Sequence, residues 1–84
     1  MNFLETKQFK KDKKKLPKSL QEKVVERLTL LLQDPFHPLL DNHKLHHPWD
    51  GCKSINVTGS IRIIYQLQGE IYLLHRVSSH PELY

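Results

Sequence analysis

At Trp49 the hydrophobic rhythm of this chain changes from a helical period to a period of two, and that switch limits the fold more than any other feature. Lys53, Ile55 and Val57 alternate with Cys52, Ser54 and Asn56; after Thr58, Gly59 and Ser60, the residues Ile61, Ile63, Tyr65 and Leu67 alternate with Arg62, Ile64 and Gln66. Such alternation marks half-buried strands, and the glycines between them mark turns. A more continuous apolar stretch, Ile71 to Val77, reads as a buried strand that gives way to Ser78, Ser79, His80 and Pro81. The expectation is an antiparallel meander with His80 at the mouth of its last strand. The faces set the registers. A three-residue turn at Thr58 to Ser60 pairs Val57 with Ile61, Ile55 with Ile63 and Asn56 with Arg62, whereas a two-residue turn sets Ile55 against Arg62 and mixes the faces. A turn at Gln68 and Gly69 pairs Tyr65 with Tyr72, Ile63 with Leu74 and Arg62 with His75, so Asn56, Arg62 and His75 share the face turned away from the helices.

Upstream, Asn2 to Lys7 reads as a short first strand. Gln8 to Leu16 has helical composition, with Phe9, Asp12, Lys13 and Leu16 on one side and lysines that face water or a partner. Pro17 punctuates, and Ser19 and Glu22 have capping-box spacing. Leu20, Val24, Leu28 and Leu31, widened by Val25 and Leu32, then form the stripe of a second helix. Asp34 and Pro35 end it, because the residue before a proline is pushed out of the α region. Residues 36–48 read as an irregular connection held down by Phe36, Leu39, Leu40 and Leu45. The order is β-α-α-β-β-β: an α+β fold with the helical pair on one face of a twisted antiparallel sheet. Eighty-four residues leave room for one domain, spanning 1–84.

Residues 1–27 carry nine Lys and Arg against four Asp and Glu, while residues 28–84 carry four against five. The basic field therefore belongs to the N-terminal third, and it suits a polyanion, an acidic protein partner or solubility alone. The single Cys52 has no partner for an internal disulfide and reads as a small core or strand residue. Neither a signal-peptide pattern nor an apolar run near the ~20 residues of a membrane span is present, so a cytoplasmic protein without membrane association is expected.

The densest polar cluster is Asn42 to His47, and its bluntest reading is a metal site. Zinc sites usually draw on Cys or on spaced His with a carboxylate, so no metal or cofactor is expected here. His43 and His80 sit at the edges of regular structure, and His titrates near neutral pH. Two such groups with a cation between them suit metal-free RNA cleavage. One takes the proton of a ribose 2′-OH, Arg62 neutralises the phosphorane, and the other protonates the leaving 5′ oxygen. Spacing alone does not bring them together, and unrelated surface histidines with a structural Arg fit the same sequence.

The residues also resemble a known group. Phe9 to Leu16, Asp34-Pro35, Asn42 to Leu45, Trp49 to Gly51, Arg62 to Tyr65 and the ending Ser79 to Tyr84 are similar to the RelE/ParE superfamily of bacterial toxins, and within it to the YafQ-like mRNA interferases. The resemblance covers essentially the whole chain. It implies a RelE-like fold and a metal-free endoribonuclease that cuts mRNA in the ribosomal A site and is restrained by a cognate antitoxin protein. It further implies that His80 is the general acid, His43 the base or proton-transfer partner, Arg62 the phosphate-stabilising cation and Tyr84 a terminal aromatic of the site. Asn56 stands where a His is found and Ser60 where an Asp is found, and neither exchanges a proton near neutral pH. Lys10, Lys11 and Lys14 on the first helix, with Lys44 and Lys53, are the expected grips on RNA phosphates, which makes activity salt-sensitive.

Two other readings compete. A non-catalytic protein, either a ParE-like inhibitor of a DNA topoisomerase or a homologue that only binds its antitoxin, has no use for a His pair. A general RNA-binding module interleaves exposed aromatics with Lys, yet Tyr65 and Tyr72 fall on the apolar face and only Trp49 and Tyr84 remain.

Overall fold

A computed structural model describes residues 2–79. Strand β1 (Asn2–Glu5) leads into helices α1 (Lys7–Lys14) and α2 (Lys18–Gln33); a 3₁₀ turn (Pro38–Leu40) and strands β2 (His43–Lys44), β3 (Lys53–Thr58), β4 (Ile61–Gln68) and β5 (Ile71–Ser79) follow. The five strands form one sheet in the order β1-β5-β4-β3-β2. It is the expected α+β architecture with two refinements. The first strand pairs parallel with the last, since everything between them serves as the crossover that a parallel pair needs. The connection at 36–48, expected to be irregular, contributes the 3₁₀ turn and a two-residue edge strand.

Local chemistry sets the helix ends. Thr6 caps α1 by accepting from the Phe9 N–H at 3.1 Å, and its hydroxyl donates to the Leu74 carbonyl at 2.9 Å, which ties the helix start to β5. The expected capping box of α2 does not form. The helix begins at Lys18 after Pro17, which has no side-chain cap bond, so Ser19 already lies inside the first turn. The end at Asp34 before Pro35 is as expected.

One core lies between the helices and the sheet, built from Phe9, Val24, Leu28 and Leu31 against Leu40, Ile55, Val57, Ile63, Tyr65, Tyr72, Leu74 and Val77. The stripe of α2 is narrower than its sequence implies, because Val25 and Leu32 are exposed. Phe36 and Leu39 are exposed too, and the connection is held by Leu40 and Leu45. On the opposite face, residues 45–52 fold over Ile64, and Leu45, Cys52 and Trp49 enclose it in a second cluster. Burial there pushes the Cys52 thiol pKa up. Among the described residues no helix is long and apolar enough to cross a membrane.

Two bulges change the expected registers. Between β3 and β4, Ile55 pairs with Ile63 and Asn56 with Arg62 as expected, but Thr58 pairs with Ile61, so the turn has two residues and Val57 is extra. A bulge thus reconciles a short turn with unmixed faces, and the Val57 carbonyl accepts from Arg27 Nε at 3.1 Å. Gly59 supplies the turn's left-handed residue, with φ 52°. Between β4 and β5, Gln68 pairs with Ile71 and Tyr65 with Leu74, one residue beyond the expected turn. A second bulge at His75 then sets Ile64 against Arg76 and Arg62 against Ser78. His75 therefore does not lie beside Arg62. Its Nε2 is 3.3 Å from Gln66 Oε1 and its ring centroid is 6.1 Å from that of Trp49; burial pushes its pKa down.

Past Leu74, β1 has ended and α1 covers the edge of β5. The buried Asp12 carboxylate accepts from the Val77 N–H at 3.2 Å, from Arg76 Nε at 2.7 Å and Nη2 at 3.3 Å, and from Gln8 Nε2 at 3.0 Å. Burial raises its pKa, but the bonds from Arg76, Gln8 and Val77 outweigh that and hold it below the ordinary value.

Candidate active site

Arg62 on β4 is the centre of the polar cluster on the face away from the helices. Its alternation with Ile63 turns it outward, and its side chain lies flat along the sheet, 11% exposed. Nε donates to Ser54 Oγ at 2.9 Å, Nη2 to the Ser54 carbonyl at 3.2 Å and to the Asp41 carbonyl at 2.8 Å, and Nη1 to Asp41 Oδ2 at 3.2 Å. Ser54 is fully buried on the neighbouring strand, so that half of the grip is rigid. Asp41 comes from the loop after the 3₁₀ turn, where its backbone is left-handed at φ 44°.

His43 opens β2, exposed, with Nδ1 3.4 Å from Arg62 Nη2 and 3.0 Å from the Asp41 carbonyl. A carbonyl only accepts, so the shorter contact places the proton on Nδ1 and leaves the Nε2 lone pair outward, as a proton acceptor requires. The loop carrying both residues is anchored to the core: Tyr65 donates from its hydroxyl to Asn42 Oδ1 at 2.9 Å, and Asn42 Nδ2 donates to the Pro35 carbonyl at 2.9 Å. Burial raises the Tyr65 pKa, partly offset by the Asn42 bond.

The structure brings some of the candidate residues together. His43, Arg62 and Asn56 share one region, and the Asn56 Oδ1 is buried with no hydrogen-bond partner among the described residues. Lys44 and Lys53 pair across β2 and β3, one residue out of phase with His43 and Ser54, so alternation turns them to the other face of the sheet. Ser60 is exposed at the β3–β4 turn. Lys10, Lys11 and Lys14 are exposed on α1, which packs through Phe9 on the core side of the sheet, away from Arg62. His80 and Tyr84 lie outside the described residues. Strand β5 runs to Ser79, with Ser78 opposite Arg62. Among the described residues no three His, Cys, Asp or Glu side chains converge as a metal site needs.

Ser54 and Asp41 escape a reading of the sequence. Ser54 had a signal, since it alternates in phase with Asn56 and pairs across to the strand of Arg62. Asp41 had none, because an irregular loop carries no period.

A small mixed sheet with two helices packed against it is the fold of several bacterial toxins. The crystal structure of YafQ from E. coli strain BL21(DE3) superposes with a TM-score of 0.84 at 24% identity, covering 98% of this chain and 96% of that one. The YoeB/ParE toxin from Agrobacterium tumefaciens gives 0.81 at 19% identity over 95% and 99%. The toxin in the E. coli DinJ-YafQ toxin-antitoxin complex gives 0.80 at 23% identity over 98% and 94%. No curated relative matches. The profile described as "Bacterial toxin of type II toxin-antitoxin system, YafQ" matches residues 1–84. The chain belongs to the YafQ toxin family.

Proposed function

We propose that this toxin is a ribosome-dependent mRNA endoribonuclease that works without a metal and inhibits translation. The observation that carries this reading is the juxtaposition of His43 and Arg62, with Nδ1 and Nη2 3.4 Å apart on an open polar face. In the reaction, His43 Nε2 takes the proton of a ribose 2′-OH, and the 2′ oxygen attacks the adjacent phosphorus. The bond from phosphorus to the 5′ oxygen breaks, leaving a 2′,3′-cyclic phosphate and a 5′-hydroxyl. Arg62 stabilises the extra negative charge of the phosphorane, and His80 supplies the proton to the leaving oxygen. β5 supports this role for His80, since it brings the chain level with Arg62 at Ser78, two residues before His80. Asn56 contributes a hydrogen bond in place of a proton, Ser60 and Tyr84 complete the site, and Lys44, Lys53 and the α1 lysines grip more distant phosphates. The mRNA is met in the ribosomal A site, and a cognate antitoxin restrains the toxin; the E. coli DinJ-YafQ and Staphylococcus aureus YoeB-YefM complexes support such a partner.

The test is induction of the wild type, His80→Ala and His43→Ala, followed by primer extension on cellular mRNA. New 5′ ends and growth arrest are expected with the wild type and are lost in both variants, with folding preserved. Arrest without new 5′ ends would sink the nuclease reading and favour a non-catalytic ParE-like toxin, and undiminished cleavage by His80→Ala would overturn the assignment of His80 as the acid.

A further inference from the structure

The guanidinium of Arg62 has two kinds of partner. Ser54 holds it from the neighbouring strand through a buried hydroxyl and a backbone carbonyl, and both bonds are compatible with a bound anion. Asp41 is different. Its carboxylate accepts from Nη1 at 3.2 Å with a side chain 70% exposed, and its carbonyl accepts from Nη2 at 2.8 Å. A phosphodiester oxygen has to approach through Nη1, because Nε is directed at the Ser54 hydroxyl and the two Nη2 hydrogens at the Ser54 and Asp41 carbonyls. Two anions do not share one guanidinium edge without repulsion. The carboxylate is mounted on an exposed loop, so a rotation of its own side chain frees Nη1 while the Asp41 carbonyl stays on Nη2.

We infer that the Asp41 carboxylate occupies the phosphate subsite of Arg62, and that RNA enters by displacing it. This rests on the reading of Arg62 as the phosphate-binding group. Asp41 is thus a positioning residue: it holds the guanidinium oriented outward while no phosphate is present, and its negative charge weakens the binding of every phosphate that arrives. Its backbone carbonyl remains on His43 Nδ1 when the carboxylate leaves, so proton placement on His43 is independent of the displacement. An exposed ion pair is weak, and repulsion adds to the effect of removing it, so the change in affinity on neutralising Asp41 is about threefold to tenfold.

The test uses Asp41→Asn, which removes the charge while Asn tolerates the left-handed backbone, and Asp41→Gly as a second variant for the same backbone. Binding is measured at fixed salt with two probes, inorganic phosphate and a short 2′-O-methyl RNA that cannot be cut. Expected is about threefold to tenfold tighter binding of both probes by either variant. The gain disappears when Arg62→Ala is added, and Glu70→Gln, an equal charge change at the β4–β5 turn, stays within about twofold of the wild type. Unchanged or weaker binding by a folded Asp41 variant overturns the inference. So does an equal gain in Glu70→Gln, or a gain that survives loss of Arg62. The phosphate probe reports on Asp41 whether or not the protein cuts RNA, whereas absence of mRNA cleavage by the wild type counts against the nuclease reading alone.

Discussion

Replacing Asp12 with Asn should cost this protein more than any other single polar change among its described residues. Four N–H donors reach the two oxygens of that carboxylate: Gln8 Nε2 and Arg76 Nη2 reach Oδ1, and Arg76 Nε and Val77 N reach Oδ2. An amide keeps one oxygen and presents an NH₂ to the donors on the other side. Either Arg76 Nε and the buried Val77 N–H lose their acceptor, or Gln8 and Arg76 Nη2 do. A charge-assisted hydrogen bond contributes about 1.5–3 kcal/mol, and a buried donor left unsatisfied costs about 1–3 kcal/mol. Arg76 is 25% exposed and recovers some hydration, so the expected loss is about 3 kcal/mol. A chain of 84 residues has roughly 4–12 kcal/mol in all, so the change removes a large share. The melting temperature should fall by about 12–24 °C.

Urea unfolding of the two proteins at a series of pH values is the assay. Asp12 is held below its ordinary value of 3.8 in the fold, so its contribution is fully present above that value and is lost as the pH falls through the lower, folded pKa. The gap between wild type and variant should therefore be constant from neutrality down to about pH 5 and narrow below pH 4. A loss under about 0.5 kcal/mol at pH 7 would refute the reasoning, being the size of an ordinary surface substitution. A gap that widens on acidification would refute it equally.

Two further outcomes concern the site. Tyr65→Phe removes the bond to Asn42 and should cost about 1 kcal/mol by thermal melt; it should also lower mRNA cleavage, because the loop carrying Asp41 and His43 loses its anchor. Ser54→Ala leaves Arg62 Nε without its acceptor and should reduce cleavage about 10-fold in the same primer-extension assay, with the core unaffected; full activity would show that Asp41 and the backbone carbonyl of residue 54 suffice to orient the guanidinium.

The parts of the fold legible from sequence are those that burial enforces. Ile55, Ile63 and Tyr65 have one place to go, and so do Val24, Leu28 and Leu31, because a shift of one residue would expose a whole face. The bulges at Val57 and His75 were not legible, since an extra residue leaves the pattern on either side intact and is decided by local partners such as Arg27. The absent capping box has a related cause: the α2 helix starts two residues too early for Ser19 to serve. In the site, Arg62 and Asn56 follow from strand alternation and cross-strand pairing. Asp41 and the contact between His43 and Arg62 depend on the path of an irregular loop, which no periodicity records.

The parallel pairing of β1 with β5 sets an order of events during synthesis. Among the described strands the first to be made, β1, has its sheet partner in the last, β5, and contacts at such long sequence separation form slowly. Until Ile71 to Ser79 has emerged, β1 has no ladder, Asp12 has no Arg76, and the inner face of β4 lacks Leu74 and Val77. The sheet of this toxin therefore stays incomplete in the nascent chain until β5 is available to pair with both β1 and β4.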